Sequence, residues 1–228
     1  MPTPYDVIVI GAGSNGLTLA CYLAKSGQNV LVLERQPHPG GGVTSKEIVP
    51  GFTTSLHAVN HNWVHNGPIR KDLELEKFGS RYIFPDIIYS HIFSDGRSLT
   101  LYRDLESTVA EIAKFSGNDA ARYRDWIREN ESIFEFITRA TFEPPKPFSK
   151  LFELLEETPA GMRALKSWLM SIEDVANALF ENECVRVWFI VYCGQTVNEP
   201  HAKGTGLVPV SNLVNQHRGG GNSLSVGG

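Results

Sequence analysis

The 228-residue sequence predicts an α/β fold in which a β-α-β unit is followed by a mainly helical region containing a β-hairpin. The unit is predicted by two apolar runs, YDVIVI at residues 5–10 and NVLVLE at 29–34, with a glycine-rich turn and helical spacing between them. Two alternating segments joined by Asp95-Gly96 predict the hairpin. A chain of this length has room for one large domain or two small ones.

The two apolar runs are typical of parallel strands covered on both faces, because their β-branched residues are not interrupted by polar ones. Between them, helical spacing begins at Ser14, and Gly27 supplies the C-terminal stop of the helix. The apolar face of this helix is predicted to comprise Leu17, Ala20, Cys21 and Ala24. We therefore expect two buried strands connected by an amphipathic helix.

The turn between the first strand and the helix reads GAGSNG, a spacing with a physical reason at each glycine. Gly11 permits a tight turn, Gly13 lets the backbone approach a pyrophosphate, and Gly16 lets the helix pack closely on the strand. The phosphates then lie at the positive end of the helix. Glu34, eighteen residues beyond Gly16 at the end of the second strand, can accept hydrogen bonds from ribose hydroxyls. The motif predicts a dinucleotide but does not separate FAD from NAD.

Three consecutive glycines follow the second strand in the segment PHPGGG, residues 37–42. One interpretation is a second close approach of the backbone to a cofactor. The other is a flexible entry into a β-hairpin. Both stay open on the residues alone.

The segments YDVIVIGAGSNGL, VLVLER and PGGGVTSKEIVPGF together resemble the FAD-dependent amine-oxidase-like superfamily and, within it, the phytoene desaturase branch. The likeness points in particular to the desaturase-like proteins that include pyridine nucleotide-disulfide oxidoreductase domain-containing protein 2. A looser similarity continues through PDIIYSHIFSDGRSLTLYRDLEST, so that it covers most of the chain.

The resemblance implies FAD as cofactor and hydride transfer from an apolar, isoprenoid-like substrate to flavin N5. It places Glu34 at the adenosine ribose, Arg35 alongside the adenosine end, and Gly41 with Gly42 beside the ribityl and phosphate portion. Relatives use no single fixed catalytic acid or base, so the catalytic residues stay unknown. The cofactor-binding residues are predicted to be Gly11, Ala12, Gly13, Ser14, Gly16, Glu34, Arg35, Gly41 and Gly42.

The resemblance also divides the chain into three parts. Residues 1–67 are predicted to be the N-terminal part of the FAD-binding domain, 68–205 the substrate domain, and 206–228 the start of the return to the FAD-binding domain. Two parallel strands are too few for a stable doubly wound sheet, so we expect the flavin domain to be incomplete here. We expect either a fragment or one subunit of a split enzyme with a second chain. The alternative is a non-catalytic nucleotide-binding or scaffolding subunit.

The middle of the chain begins with a predicted helical stretch at 69–78, followed by a strand-like segment at 82–84 and the hairpin. Asp104 is predicted to cap the next helix. A longer helix is predicted to start at Asn118 or Asp119 and to run to about residue 139, ahead of the break at PPKP, residues 144–147.

Further helices are predicted from Thr158-Pro159 and from a capping box formed by Ser171 and Asp174. The apolar run at 185–192 is expected to be a buried core helix or, less commonly, the wall of an apolar substrate tunnel. No strand is predicted after Gly204.

His57, His61 and His65 recur every four residues and would share one face if this segment were helical. Three interpretations stay open: ordinary surface histidines, polar groups facing flavin or substrate, and metal ligands. We predict no metal site, because neither a further ligand nor a supporting second shell is visible. The acidic pairs at 156–157 and at 181 and 183 are predicted to be solvated.

Composition excludes several classes of protein. The 21 basic and 25 acidic residues give a net charge of −4, which does not provide the basic face of a nucleic-acid binder. Three cysteines without disulfide or metal spacing are predicted to be buried thiols. Neither a targeting signal nor a membrane-spanning run is recognised, which favours a cytoplasmic location and leaves peripheral membrane contact open.

Overall fold

The computed structural model describes residues 4–58, 60–195 and 199–226, and its amino-terminal elements alternate between strand and helix. The strands are β1 Val7–Ile10, β2 Val30–Leu33, β3 Ser45–Val49, β4 Phe52–Ser55, β5 Tyr82–Ile83, β6 Ile87–Ile92, β7 Ser98–Tyr102 and β8 Leu224–Ser225. The α-helices are α1 Ser14–Lys25, α2 Ile69–Asp72, α3 Leu105–Ala113, α4 Gly117–Glu129, α5 Glu131–Phe142, α6 Phe148–Glu156, α7 Pro159–Trp168, α8 Ile172–Leu179, α9 Glu183–Gly194 and α10 Asn215–His217. The predicted fold class is confirmed.

The chain forms two compact units. The first comprises the described residues of 1–84 together with those of 223–228, and the second comprises those of 85–222. The units therefore divide later in the chain than the predicted boundaries after 67 and after 205. The assignment of 1–67, 68–205 and 206–228 to a flavin domain, a substrate domain and a return segment stays a prediction.

In the first unit, β1 and β2 form a parallel pair and are connected by α1, and Val7 lies opposite Val30. The predicted strands are thus confirmed, but the expectation that they are buried is wrong. Val9 is buried, whereas Ile8 is 55% exposed and Ile10 is 87% exposed. The reason is that α1 is the helix that packs substantially on this two-stranded sheet among the described residues, so much of the sheet surface is left uncovered.

The first unit also contains β8, although no strand was expected after Gly204. β8 pairs antiparallel with β5, with Tyr82 opposite Ser225. The Val226 N–H also donates to the Arg81 carbonyl at 2.9 Å. A two-residue pairing shows no alternation in the sequence, which explains why the pattern did not indicate it.

The second unit begins with the β6–β7 hairpin, which confirms the prediction from Asp95-Gly96. Asp104 caps α3 as predicted, because its carboxylate accepts a hydrogen bond from the Ser107 N–H at 2.7 Å. Gly96 has a φ of +84°, a conformation that glycine adopts readily.

The single helix predicted from Asn118 or Asp119 to about residue 139 is in fact two helices. Ser116 caps α4, and its hydroxyl accepts from the Asp119 N–H at 3.1 Å. Asn130 leaves the helical conformation and separates α4 from α5. The helical spacing continues across Asn130, so the hydrophobic pattern alone could not reveal the break.

The later helices begin where the sequence predicts. Thr158 caps α7, and Ser171 with Asp174 forms the capping box of α8. Helix α9 presents a buried face to the core of the second unit. Its buried residues are Val185, Trp188, Phe189, Tyr192 and Cys193. This face supports the interpretation of a core helix over a tunnel wall.

The prediction of three buried thiols is correct for one cysteine. Cys193 is buried, Cys184 is partly exposed, and Cys21 is exposed. Cys21 lies on α1, where Ala20 is the buried residue, because the two-stranded sheet covers only a narrow stripe of this helix. Among the described residues, none of the three cysteines forms a disulfide bond.

Candidate functional site

The glycine-rich loop between β1 and α1 has the backbone geometry that its spacing predicts. Gly11 has a φ of +99°, which a side chain rarely permits. A Cβ atom at Gly16 would overlap the Gly11 carbonyl, so only glycine lets α1 start this close to the turn. The fold itself therefore requires glycine at positions 11 and 16, whether or not a ligand binds.

Gly13 has a different environment, one that fits the phosphates of a dinucleotide. It precedes α1, its φ of −76° is ordinary, and a Cβ atom there would meet no other atom within 4 Å. No side chain caps the helix, and its first turn carries no acidic residue. Uncapped N–H groups beside open space are the features that bind a phosphate at a helix N-terminus.

Glu34 extends from the end of β2 to the glycine-rich loop. Its carboxylate accepts hydrogen bonds from the Ala12 N–H at 2.7 Å and from the Gln36 N–H at 2.8 Å. The bond from Gln36, followed by that from Ala12, holds the pKa of this exposed carboxyl below its ordinary value. Glu34 is thus an anion whose remaining lone pairs can accept ligand hydroxyls.

The segment 40–42 contacts the same loop. The Gly40 N–H donates to the Ala12 carbonyl at 2.7 Å, and Gly40 forms a parallel bridge with Gly13. A Cβ atom at Gly41 would lie 3.0 Å from the Gly13 Cα, and Gly41 has a φ of +56°. The three glycines thus approach the glycine-rich loop and lead directly into the β3–β4 hairpin, while their approach to a cofactor stays a prediction.

The remaining predicted site residues lie around this loop. Ser14 is the first residue of α1, and Ala12 is buried. Arg35 is exposed beside Glu34, and Gly42 is exposed next to Gly41. The structure thus brings the predicted residues to one region of the first unit, while their contacts with FAD stay predictions.

The three histidines do not share a helical face, because the described residues between β4 and α2 form bends and turns. His57 is exposed, whereas His61 and His65 lie beside Tyr82, with ring centroids 5.7 and 4.7 Å away. Among the described residues, no group of three His, Cys, Asp or Glu side chains could hold a metal ion.

His65 belongs to a hydrogen-bonded chain that the sequence did not indicate. Arg70 donates to its Nδ1, so Nε2 carries the proton and donates to the Ser223 hydroxyl at 2.6 Å. Ser223 donates in turn to the His61 carbonyl at 2.9 Å. Since 158 residues separate His65 from Ser223, no local pattern could have revealed this pair.

The fold and the loop place the amino-terminal unit in the class of Rossmann-like dinucleotide-binding domains. Residues 9–73 match the family described as NAD(P)-binding Rossmann-like domain. Among the residues that the structure describes, no helix combines the length and apolar character needed to cross a membrane.

Over 96% of its length the chain is 34% identical to a limonene dehydrogenase subunit of Castellaniella defragrans, and it covers 41% of that protein. It is 36% identical over 54% of its length to mouse pyridine nucleotide-disulfide oxidoreductase domain-containing protein 2, of which it covers 23%. It is 29% identical over 67% of its length to the neurosporene-forming phytoene desaturase of Rhodobacter capsulatus, of which it covers 29%. The predicted resemblance is confirmed, and these three relatives are by name a dehydrogenase subunit, an oxidoreductase domain-containing protein and a desaturase.

The structure is also similar to that of a putrescine oxidase variant, with a TM-score of 0.53, 16% identity, and coverage of 98% of this chain and 46% of the other. At this identity the similarity concerns the fold alone. The chain spans less than half the length of these curated and structural relatives.

Proposed function

We propose that this chain binds FAD at the glycine-rich site and forms part of an FAD-dependent oxidoreductase of the desaturase or dehydrogenase type. The observation that carries the proposal is the convergence of residues 11–16, Glu34 and residues 40–42 around open space at Gly13. The resemblance to the phytoene desaturase branch supports FAD over a bound nicotinamide, and a phytoene desaturase is among the relatives of this chain.

The residues of the site have separate roles in this proposal. The first-turn N–H groups of α1 bind the pyrophosphate, and Glu34 accepts hydrogen bonds from the adenosine ribose. Arg35 lies alongside the adenosine end, and Gly41 and Gly42 leave room beside the ribityl chain. Bound FAD would supply, at flavin N5, the acceptor for a hydride taken from an apolar substrate.

The proposed substrate is an uncharged, isoprenoid-like molecule. The support is the limonene and phytoene in the names of two relatives. Because fold and site do not by themselves select a substrate, this part of the proposal rests on similarity.

We further propose that additional polypeptide, either a further part of a longer chain or a second subunit, completes the flavin domain. The support is the exposure of apolar side chains on both strands of the parallel pair, including Ile8, Ile10 and Leu33. Parallel sheets are usually covered on both faces, so added strands or helices would bury these residues. A non-catalytic scaffolding role would instead predict a stable chain that never holds a reducible flavin.

The test is flavin retention by the wild-type chain and by Gly13→Val, measured as visible absorbance and by titration with FAD. Gly13 has an ordinary φ and open space, so valine is compatible with the fold but occupies the volume needed by the pyrophosphate. We expect the wild type, alone or with a co-purifying chain, to hold a flavin that dithionite bleaches. We expect Gly13→Val to hold none.

Gly117→Val is the matched control, because Gly117 also has open space around its Cα but lies in the second unit. It should retain the flavin of the wild type. Equal flavin occupancy in Gly13→Val, or absence of flavin from every assembly of the wild type, would contradict the proposal.

A further inference from the structure

The second unit contains an apolar cavity that the proposed FAD site does not use. Helices α5, α6 and α7 surround it, and its volume is about 230 Å³. Its floor consists of buried residues: Ile133 is 5% exposed, Leu155 is 4% exposed and Ala164 is 2% exposed. Its rim includes the exposed residues Ala140 and Thr141. A cavity with a buried floor and an exposed rim is accessible to a ligand from solvent.

The residues that line the cavity disfavour a charged ligand. None of the described residues that line the cavity is ionisable, and Thr141 carries the one aliphatic hydroxyl among them. That hydroxyl already donates to the Ile137 carbonyl at 2.8 Å. A charged ligand would therefore lose its hydration without gaining a partner of opposite charge. An apolar ligand would exchange water for alkyl and aromatic contacts.

The size of the cavity limits the ligand further. An apolar cavity of about 150 Å³ admits benzene. In the same proportion, the volume found here suits roughly nine or ten carbon atoms. We propose that this cavity binds a small uncharged hydrocarbon of that size. The site lies within the second unit, so its occupation does not require FAD.

Trp168 provides a signal for binding. Its ring lines the cavity and lies 6.1 Å from the ring of Phe152 in a stacked arrangement. A hydrocarbon entering the cavity would change the surroundings of this indole. Trp168→Phe keeps an aromatic wall and should remove the fluorescence change, which assigns the signal to this residue.

The experiment is a titration of the purified, flavin-free chain with decalin, an uncharged ten-carbon hydrocarbon that does not absorb where tryptophan is excited. We expect a saturable change in tryptophan emission. Ala164→Leu fills the floor and Ala140→Leu fills the rim, so each should weaken binding by roughly tenfold or more. Ala121→Leu, an exposed alanine on α4, is the matched control and should bind as the wild type does.

Decanoate separates an uncharged ligand from an alkyl chain with a charged end, and it should bind far more weakly than decalin. Circular dichroism establishes whether each variant folds. If Ala164→Leu does not fold, Ala140→Leu still tests the proposal. The proposal is wrong if wild type shows no saturable response, or if folded Ala140→Leu binds decalin as tightly as Ala121→Leu. Equal binding of decanoate and decalin would likewise overturn it. Because flavin is absent, none of these results depends on the proposed oxidoreductase function.

Discussion

Glu34 shows how one exposed carboxylate combines two tasks. It accepts a hydrogen bond from the Ala12 N–H, which holds the end of β2 against the glycine-rich loop. It also remains ionised, because the N–H groups of Gln36 and Ala12 lower its pKa. Loop shape and ligand recognition at this residue can therefore be separated by a substitution that preserves one oxygen.

We expect Glu34→Gln to retain the loop and to weaken FAD binding. The glutamine carbonyl can still accept from Ala12, whereas its amide replaces the oxygen that accepts from Gln36 and donates where the ribose hydroxyls need an acceptor. Loss of charged hydrogen bonds of this kind corresponds to roughly a tenfold to hundredfold rise in Kd. Titration of the apo-chain with FAD measures the effect, with Glu156→Gln, at an exposed position of α6, as the control. An unchanged Kd would remove Glu34 from the site.

At the scale of elements, a buried carboxylate joins two helices. Asp119 in α4 is fully buried and accepts hydrogen bonds from the Glu181 and Asn182 N–H groups, each at 2.9 Å. These N–H groups belong to the turn between α8 and α9, and Asn182 is also the cap of α9. Asp119 therefore does not open α4, which was one of the two starts that the sequence allowed, but holds the start of α9.

We expect Asp119→Ala to lower the free energy of unfolding by about 3 kcal/mol, because the two hydrogen bonds that this fully buried carboxylate accepts are lost. Urea denaturation followed by circular dichroism measures the change. Asp125→Ala, an exposed position on the same helix, should cost far less. Equal effects of the two substitutions would show that the turn does not depend on this carboxylate.

At the scale of the whole molecule, the stability of the second unit should depend on pH through His217. In the neutral imidazole, Nδ1 donates to the Arg103 carbonyl at 3.0 Å and Nε2 accepts from the Tyr123 hydroxyl at 2.8 Å. Burial lowers its pKa below the ordinary value of 6.5. In its neutral form, His217 thus links α10 to α4 and to the residue that follows β7.

As the pH falls below 6.5, the unfolded chain takes up a proton at this position before the folded chain does. The free energy of unfolding should therefore decrease as the pH falls from about 6.5, and it should be fully retained above that value. Urea midpoints measured between neutral and mildly acidic pH test this in wild type. His217→Gln should reduce the change of the urea midpoint with pH, whereas His57→Gln, at an exposed position, should show the same change as the wild type.

The local elements of this protein follow from its sequence because each depends on neighbouring residues. The β-α-β unit, the hairpin at Asp95-Gly96 and the caps at Asp104, Thr158 and Ser171 all lie where glycine spacing, alternation or a capping side chain predicts them. The candidate site was predictable for the same reason, since its glycines and Glu34 are fixed by their positions around one strand-turn-helix.

Other features depended on contacts between residues far apart in the chain, which no local pattern encodes. The pairing of β5 with β8 and the bonds of Asp119 and Ser223 are of this kind. The predicted burial of the first two strands is also wrong. Apolar side chains indicate that a strand is more stable when buried, but they do not indicate whether another element packs on it. The sequence by itself determined the elements and the dinucleotide-binding loop, whereas the tertiary structure decided which of their surfaces are covered.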